Sequence, residues 1–238
     1  MDSITIVENC LSCELRTPGV LCDLPVAVLQ NFNSIKYAME YPKGVTLFSQ
    51  GQPARGIFIM CQGHARLSLS SVDGARLILR FTEPGEALGL SSAMLSTPYP
   101  MTAETVDVCQ VNFIKRSDFL KLVRSHKEAC YRFAERLGEQ CISICDEIRF
   151  LALSRSAEER LARLLLQWSE GKRGRAALIT SSATHDEIAE MIGTSRETVT
   201  RLLADLRRKH AIQFAAGRLT VDRSTLSTIA RHEHKLLP

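Results

Sequence analysis

Residues 184–207, THDEIAEMIGTSRETVTRLLADLR, constrain the fold of this chain more than any other segment. Thr184 and Glu187 have the spacing of a capping box, which predicts the start of a helix. Gly193 then favours a turn, and Ser195 can cap a second helix. Two short helices joined in this way are typical of a helix-turn-helix, whose second helix enters the major groove of duplex DNA.

The second helix of this segment has an apolar flank and a polar flank. At about 100° per residue, the apolar flank carries Val199, Leu202, Leu203 and Leu206. The polar flank carries Arg196, Glu197, Thr200 and Arg201. Arginine can make a bidentate contact with guanine, and glutamate can accept a hydrogen bond from cytosine N4, so we expect the polar flank to face DNA. An ordinary amphipathic helix with a solvated face is the alternative.

Length and charge favour two domains, of which the second is basic. The chain has 238 residues and a net charge of +4, enough for two modest cores. From residue 155 onward there are 15 Lys and Arg against 10 Asp and Glu, so this part carries +5 and the remainder −1. A basic domain suits contact with DNA phosphates.

We expect a cytoplasmic protein that does not bind membranes, because neither a signal peptide nor an apolar stretch long enough to span a bilayer is apparent. Eight cysteines in a reducing compartment are better candidates for metal ligands or redox switches than for structural disulfides.

Four regions follow from composition and periodicity. Residues 1–24 form a cysteine-rich lobe. Residues 25–127 contain short apolar runs separated by Gly and Pro, which predict a small antiparallel β-barrel or roll, with an all-β sandwich as the alternative. Residues 128–153 predict one long helix. Residues 154–238 form the DNA-binding domain, in which residues 211–221 predict a small hairpin or wing.

The long helix carries an apolar seam that predicts a homodimer. Its members recur at intervals of 3 and 4, the a/d period of a two-stranded coiled coil: Ala134, Leu137, Cys141, Ile144, Ile148 and Leu151. A dimer suits a helix-turn-helix, since a twofold pair contacts two half-sites one helical turn apart. Packing of the seam against the chain's own β domain is the alternative.

The order of β-roll, long helix and C-terminal winged helix-turn-helix resembles the Crp/Fnr family of bacterial transcription regulators over essentially the whole chain. The segment SRETVTR at residues 195–201 is similar to the recognition helix of that family. The resemblance implies an α+β fold with a roll like that of cyclic-nucleotide-binding domains. It also implies contact with RNA polymerase and the role of an activator, although the position of the DNA site decides between activation and repression at a given promoter. In addition, it implies that Glu197 and Arg201 contact the G·C pair of a TGA half-site core. Arg196 matches the cyclic-AMP receptor branch, so we expect a TGnnA-type palindrome.

The cysteines resemble the ligand set of the oxygen sensor Fnr. Cys10, Cys13, Cys22 and Cys109 would supply the four thiolates that a [4Fe–4S] cluster needs. The spacing between Cys13 and Cys22 is longer than in well-known members, and Glu14 adds a negative charge. Tetrahedral zinc and a reversible disulfide are the alternatives for these residues.

The other cysteines occur in apolar patterns and are predicted to be core or seam residues: Cys61, Cys130, Cys141 and Cys145. A cyclic nucleotide is disfavoured, because Gly89-Leu90 and Tyr99-Pro100 stand where relatives that bind it have a ribose acceptor and a phosphate-clamping arginine.

The resemblance implies that cluster occupancy controls dimerisation in response to oxygen, nitric oxide or redox state. Asp146 aligns with an acidic residue on the Fnr dimer helix, where like charges would oppose association. We predict an interface formed by Leu137, Cys141, Ile144, Asp146, Ile148 and Leu151. No enzyme motif is apparent, and His185 with Asp186 is expected to be a solvated pair. Control by a disulfide, zinc or a small-molecule effector in the β-roll is the alternative within the family, and an iron–sulfur electron carrier is the alternative from another class.

Overall fold

The computed structural model describes residues 6–14, 22, 24–169, 176–179, 183–215 and 218–230. Contacts divide the chain into two compact units, Met1–Ile144 and Cys145–Pro238. The division falls inside the long helix, whereas the sequence predicts a domain boundary after it. Much of the predicted cysteine-rich lobe (residues 1–5, 15–21 and 23) and the turn of the predicted wing (residues 216–217) lie outside the described residues.

Two four-stranded antiparallel sheets form the framework of the first unit. Their strands are β1 (Lys36–Tyr41), β2 (Thr46–Phe48), β3 (Gly56–Gln62), β4 (Ala65–Ser70), β5 (Arg76–Phe81), β6 (Ala87–Leu88), β7 (Thr102–Thr105) and β8 (Cys109–Lys115). The strand orders are β1-β8-β3-β6 and β2-β7-β4-β5. The predicted roll is confirmed.

Helices cover one face of the β1-β8-β3-β6 sheet. They are α1 (Val26–Ile35), α2 (Leu90–Leu95), α3 (Arg116–Ser125) and the first part of α4 (Lys127–Leu153). Phe32, Phe119 and Phe133 pack there with Ile59 and Ile114 in what we call the outer core. The predicted long helix is confirmed and begins one residue earlier than expected.

The other face of that sheet lines the interior of the roll. Phe48, Phe58, Leu67 and Tyr99 form this inner core together with Val111 and neighbouring side chains. Because side chains alternate along a strand, consecutive residues of β8 point to opposite cores. Cys109 and Val111 are in the inner core, whereas Ile114 is in the outer core.

The second unit is a winged helix-turn-helix. Its elements are α5 (Ala157–Trp168), β9 (Ala176–Ile179), α6 (His185–Ile192), α7 (Arg196–Arg208), β10 (Ile212–Ala215), β11 (Arg218–Asp222) and α8 (Arg223–Ala230). The strands form an antiparallel sheet in the order β10-β11-β9. Ile212 pairs with Val221 in the hairpin predicted as the wing. Among the described residues, no helix is long and apolar enough to cross a membrane.

Candidate DNA-binding and cysteine sites

Local side-chain hydrogen bonds fix the start of both helices of the helix-turn-helix. The Thr184 hydroxyl accepts from the backbone N–H of Glu187 at 3.2 Å, and the Glu187 carboxylate accepts from the Thr184 N–H at 2.8 Å. Gly193 ends α6 with φ at 61°, a left-handed conformation that costs glycine little. The Ser195 hydroxyl accepts from the Thr198 N–H. Each local signal predicted for this motif is confirmed.

The two flanks of α7 differ in burial as predicted. Val199, Leu203 and Leu206 are buried. The predicted DNA-contacting side chains are all exposed: Arg196, Glu197, Thr200 and Arg201. The pKa of Glu197 is lowered, because its carboxylate accepts hydrogen bonds from its own N–H and from Ser195 and lies near Arg196. Glu197 is therefore an ionised acceptor at neutral pH, the form that can bind cytosine N4.

Two residues of α6 touch this polar flank. His185 Nδ1 lies 3.0 Å from Thr200 Oγ1. An Asp186 carboxylate oxygen lies 3.6 Å from an Arg196 guanidinium nitrogen. Asp186 is exposed, as expected of a solvated pair, and the turn at Gly193 also brings the first turn of α6 against α7. Residue spacing within one helix gives no signal for these contacts.

Three of the predicted ligands line one small cavity together with a fourth cysteine that the sequence did not indicate. The cavity measures about 30 Å³, and its walls come from the N-terminal segment, α1, β3 and β8. It is lined by Cys10, Cys13, Cys22, Leu29, Phe32, Ile59, Met60, Cys61, Gly85 and Asn112. Cys61 was predicted to be a core or seam residue, but it is only half-buried and faces this cavity.

The N-terminal segment is held against the roll and α1 by side-chain amides. Gln110 accepts from the Val7 N–H at 2.9 Å and donates to the Val7 carbonyl at 2.8 Å. Asn33 accepts from the Cys10 N–H at 3.0 Å. These contacts place the short 3₁₀ helix Cys10–Ser12 beside the outer core, with Cys10 packed against it.

Cys61 points into the cavity because side chains alternate along β3, and Cys61 shares a face with Ile59, which also lines the cavity. The β3–β8 register shifts next to it, between Met60 and Gln62. The Asn112 amide donates to Cys61 Sγ at 3.0 Å, and the Lys36 ammonium donates to Asn112 Oδ1 at 3.4 Å. Burial raises the pKa of Cys61 to about 12, and the neighbouring cysteines add to this effect.

The pKa of Cys10 is also raised. Burial is the main cause, and it is opposed by the ammonium group of Lys36. Both thiols are therefore protonated at neutral pH in this structure, and a metal would have to displace their protons to bind them.

Cys109 lies apart from the other predicted ligands. It is fully buried in the inner core, and its thiol donates to the His64 carbonyl at 3.3 Å. A carboxylate oxygen of Asp107 lies 3.4 Å from the same sulfur. Burial, followed by the effect of Asp107, raises the pKa of Cys109 to about 12. Strand alternation in β8 explains the separation, since Gln110 and Asn112 face the N-terminal segment and Cys109 faces away from it.

The predicted set of Cys10, Cys13, Cys22 and Cys109 therefore does not fit a single cluster in this structure, although three of its members share a cavity. Within the part of the chain that the structure describes, no three His, Cys, Asp or Glu side chains are close enough to hold a metal ion. Binding of a metal would require the thiols around the cavity to move closer together.

The exposed stripe of α4 differs in part from the predicted seam. Leu137 packs against the outer core, and Leu151 is partly buried. Seven exposed residues follow one another at intervals of 3, 4, 3, 4, 3 and 4. This outward stripe consists of Tyr131, Ala134, Gly138, Cys141, Cys145, Ile148 and Ala152. It shares Ala134, Cys141 and Ile148 with the predicted seam. Cys141 and Cys145 are exposed rather than buried, as is Cys130.

Asp146 lies outside the outward stripe. At about 100° per residue, it projects about 160° around the helix from both Ile144 and Ile148. Its carboxylate lies 2.7 Å from the Arg149 guanidinium. Because Asp146 is paired with Arg149 and projects away from Ile148 of the outward stripe, the expectation that it meets its counterpart across a twofold axis is weakened.

Side chains fill the interior of the roll around Tyr99, one of the residues that disfavour a bound cyclic nucleotide on sequence grounds. Tyr99 is buried, stacks on Phe48 with ring centroids 4.1 Å apart, and donates its hydroxyl to the Gly56 carbonyl at 2.7 Å. A Cβ atom added at Gly89 would lie 2.7 Å from the Tyr99 ring. The tyrosine thus occupies part of the inner core with its hydroxyl already paired.

Comparison with known proteins agrees with both units. Residues 38–126 match the family model of the cyclic nucleotide-binding domain, and residues 159–229 match that of the Crp-like helix-turn-helix domain. The nitrogen fixation regulation protein FixK of Bradyrhizobium diazoefficiens is 26% identical over 226 residues, which are 92% of this chain and 94% of FixK. The transcriptional activator protein anr of Pseudomonas aeruginosa is 27% identical over 203 residues, 82% of this chain and 80% of that protein.

The fold is also shared with a solved structure. FixK2 from Bradyrhizobium japonicum matches 82% of this chain and 97% of its own, with a TM-score of 0.67 and 22% identity. Both FixK and anr are named as regulators and neither is an enzyme. With its roll, its long helix and the exposed polar flank of α7, the chain belongs to the Crp/Fnr family of DNA-binding transcription regulators.

Proposed function

We propose that this regulator binds a TGnnA-type palindrome as a homodimer in the cytoplasm, activates transcription through RNA polymerase, and senses oxygen, nitric oxide or redox state through thiolate ligands at its N-terminus. The observation that supports sensing is the shared cavity of Cys10, Cys13 and Cys22 beneath α1. A [4Fe–4S] cluster held there would supply an oxygen-labile link between the N-terminal segment and the roll.

The base contacts are assigned to the exposed flank of α7. Glu197 and Arg201 lie one turn apart, which suits contact with one G·C pair. Arg196 is at the N-terminal end of the helix, the part of a recognition helix that contacts base edges. Its neighbour Asp186 competes with DNA for this guanidinium.

Dimerisation is assigned to the outward stripe of α4. Regulators of this family are typically dimers. Gly138 supports this assignment, because glycine inside a helix costs roughly 0.5–1 kcal/mol relative to alanine. Among the residues of its own chain that the structure describes, none beyond its immediate helical neighbours lies within 4 Å of a Cβ atom added at this position. A partner helix that approaches closely explains why a residue without a side chain is found there.

The sensing proposal is tested by purifying the protein without air and measuring its visible absorption, iron and sulfide. We expect about four iron atoms and four sulfides per chain, and an absorption band that bleaches in air. Affinity for a TGnnA duplex should fall by about tenfold or more on bleaching, within the usual range of coupling between two sites. Fluorescence anisotropy with a scrambled duplex is the control.

Two results would contradict this proposal. A protein that binds neither iron nor sulfide under these conditions, yet binds the palindrome, would refute the cluster and leave the family assignment intact. Uptake of one zinc ion per chain, with affinity unchanged by air, would identify the structural zinc alternative.

Oxidative crosslinking tests the dimer face. In a parallel twofold pair, the same stripe residue of each chain meets its counterpart, so Cys141 and Cys145 can form intersubunit disulfides. Diamide should produce a covalent dimer on non-reducing gels that dithiothreitol reverses. The double variant Cys141→Ala/Cys145→Ala should lose most of this product, whereas Cys130→Ala should retain it. Equal crosslinking in the wild type, the double variant and Cys130→Ala would contradict the assignment of the outward stripe as the dimer interface.

A further inference from the structure

We infer that Cys61, and not Cys109, completes a four-thiolate metal site with Cys10, Cys13 and Cys22. This inference rests on the proposed sensing function for the identity of the metal group, but the choice of the fourth ligand comes from the structure. The ligand chemistry is that of a thiophilic centre with four sulfur donors, which an iron–sulfur cluster and a zinc ion both satisfy.

The positions of the cysteines favour Cys61 as the fourth ligand. All four cysteines line one cavity, and three different segments supply them: the N-terminal 3₁₀ helix region, the residue at position 22 before α1, and β3. Cys109 does not line this cavity and faces the inner core.

The surroundings of Cys61 suit a metal-bound thiolate. The Asn112 amide already donates to Cys61 Sγ at 3.0 Å, a contact that would stabilise negative charge on sulfur. Lys36 lies beside both Asn112 and Cys10, so one cation is available near four anionic donors. Leu29, Phe32 and Ile59 form an apolar wall that limits the access of water.

The surroundings of Cys109 do not suit a metal-bound thiolate. A thiolate there would lie 3.4 Å from the Asp107 carboxylate and would lose its hydrogen bond to the His64 carbonyl. Close packing also restrains the residue, because a Cβ atom added at Gly63 would lie 2.8 Å from its sulfur. To reach the cavity, the side chain would have to cross from one face of β8 to the other.

Closure around a metal requires movement of the N-terminal segment more than of the sheet. Cys61 is on β3, which pairs with β8 and β6 on its two sides. Val7 and Cys10 are held to the roll and α1 through the side chains of Gln110 and Asn33. The N-terminal segment is thus held by side-chain hydrogen bonds, whereas β3 is held by strand pairing on both sides. Cys10 and Cys13 can therefore approach Cys61 while the roll remains intact.

The test compares metal content in four full-length proteins: wild type, Cys61→Ala, Cys109→Ser and Cys130→Ala. Each is reconstituted without air, either with ferrous iron and sulfide or with zinc alone, and iron, sulfide and zinc are measured per chain. We expect wild type, Cys109→Ser and Cys130→Ala to match. Cys61→Ala should bind at least about tenfold more weakly, since even supporting residues of metal sites change affinity by that factor.

Controls separate ligand loss from misfolding. Serine at position 109 can still donate to the His64 carbonyl, and serine at position 61 can still accept from Asn112. The unfolding temperature of each metal-free protein, together with that of Cys61→Ser, shows whether the apo fold is intact. Cys61→Ser should also lose affinity, because a hydroxyl is a poor ligand for a thiophilic metal.

The outcomes distinguish this inference from the proposed function. Metal retained by Cys61→Ala and lost by Cys109→Ser would overturn the inference alone. A wild-type protein that takes up neither iron with sulfide nor zinc would overturn both. Zinc uptake that depends on Cys61, without iron–sulfur uptake, would support the four-thiolate site and refute the cluster.

Discussion

Replacement of Arg201 by alanine should abolish sequence-specific DNA binding while leaving the fold unchanged. Arg201 is exposed on α7, so its loss leaves the core of the helix-turn-helix untouched. One bidentate contact with guanine contributes about 1–3 kcal/mol. Both subunits of a dimer are affected, about 2–6 kcal/mol together, and the affinity for the palindrome should fall by about 30-fold or more. Fluorescence anisotropy at fixed salt on palindromic and scrambled duplexes measures the change.

Arg207→Ala is the matched control for this prediction. Arg207 is exposed in the last turn of the same helix, so its removal changes net charge equally. If Arg207 binds a DNA phosphate, its removal from both subunits should weaken binding to both duplexes alike and reduce the slope of log affinity against log salt by about two units. If Arg201→Ala weakened both duplexes equally, Arg201 would be a phosphate contact and the assigned base contact would be wrong.

Replacement of Ile148 by glutamate should convert the dimer into monomers. Ile148 is 58% exposed and belongs both to the predicted seam and to the outward stripe. In the dimer, two carboxylates would enter an apolar interface on a twofold axis, at a cost of about 3 kcal/mol or more. The dimer dissociation constant should rise by about 100-fold or more. Sedimentation velocity over a concentration series measures it, and binding to the palindrome should weaken in parallel.

Leu153→Glu serves as the comparison on the same helix. Leu153 is 60% exposed and is not on the outward stripe, so the same change in size and charge should leave the dimer intact. Monomers from Leu153→Glu and dimers from Ile148→Glu would place the interface on another face of α4. Circular dichroism of both variants should show unchanged helix content, because neither side chain is buried in its own chain.

The helix-turn-helix could be predicted in detail because its signals are local. Thr184, Glu187 and Ser195 form their hydrogen bonds within one turn of chain, so their spacing alone fixes the geometry. Gly193 specifies the turn through its own backbone conformation. The roll and the long helix follow from the same kind of short-range periodicity.

The cysteine site could be predicted only in part because it depends on contacts between distant segments. The resemblance indicated Cys10, Cys13 and Cys22, which share a cavity in the structure. Cys61 lies on the same face of β3 as Ile59, whereas Cys109 lies on the inner face of β8. The spacing of cysteines along the chain does not specify which face of a strand meets the N-terminal segment. The outward stripe of α4 differs from the predicted seam for a similar reason, since Leu137 packs on the outer core.

The contacts of Thr200 limit which bases it can recognise. Its hydroxyl donates its single proton to the Arg196 carbonyl at 3.0 Å and has His185 Nδ1 as a second neighbour at 3.0 Å. A hydroxyl has two lone pairs, and when His185 Nδ1 carries a proton and donates it to one of them, a single acceptor position is left for DNA. In the major groove, only the amino groups of adenine and cytosine can donate to it. A guanine or thymine atom that faced this oxygen would present only hydrogen-bond acceptors, so we expect Thr200 to accept from adenine N6 or cytosine N4 and to form no hydrogen bond with guanine or thymine.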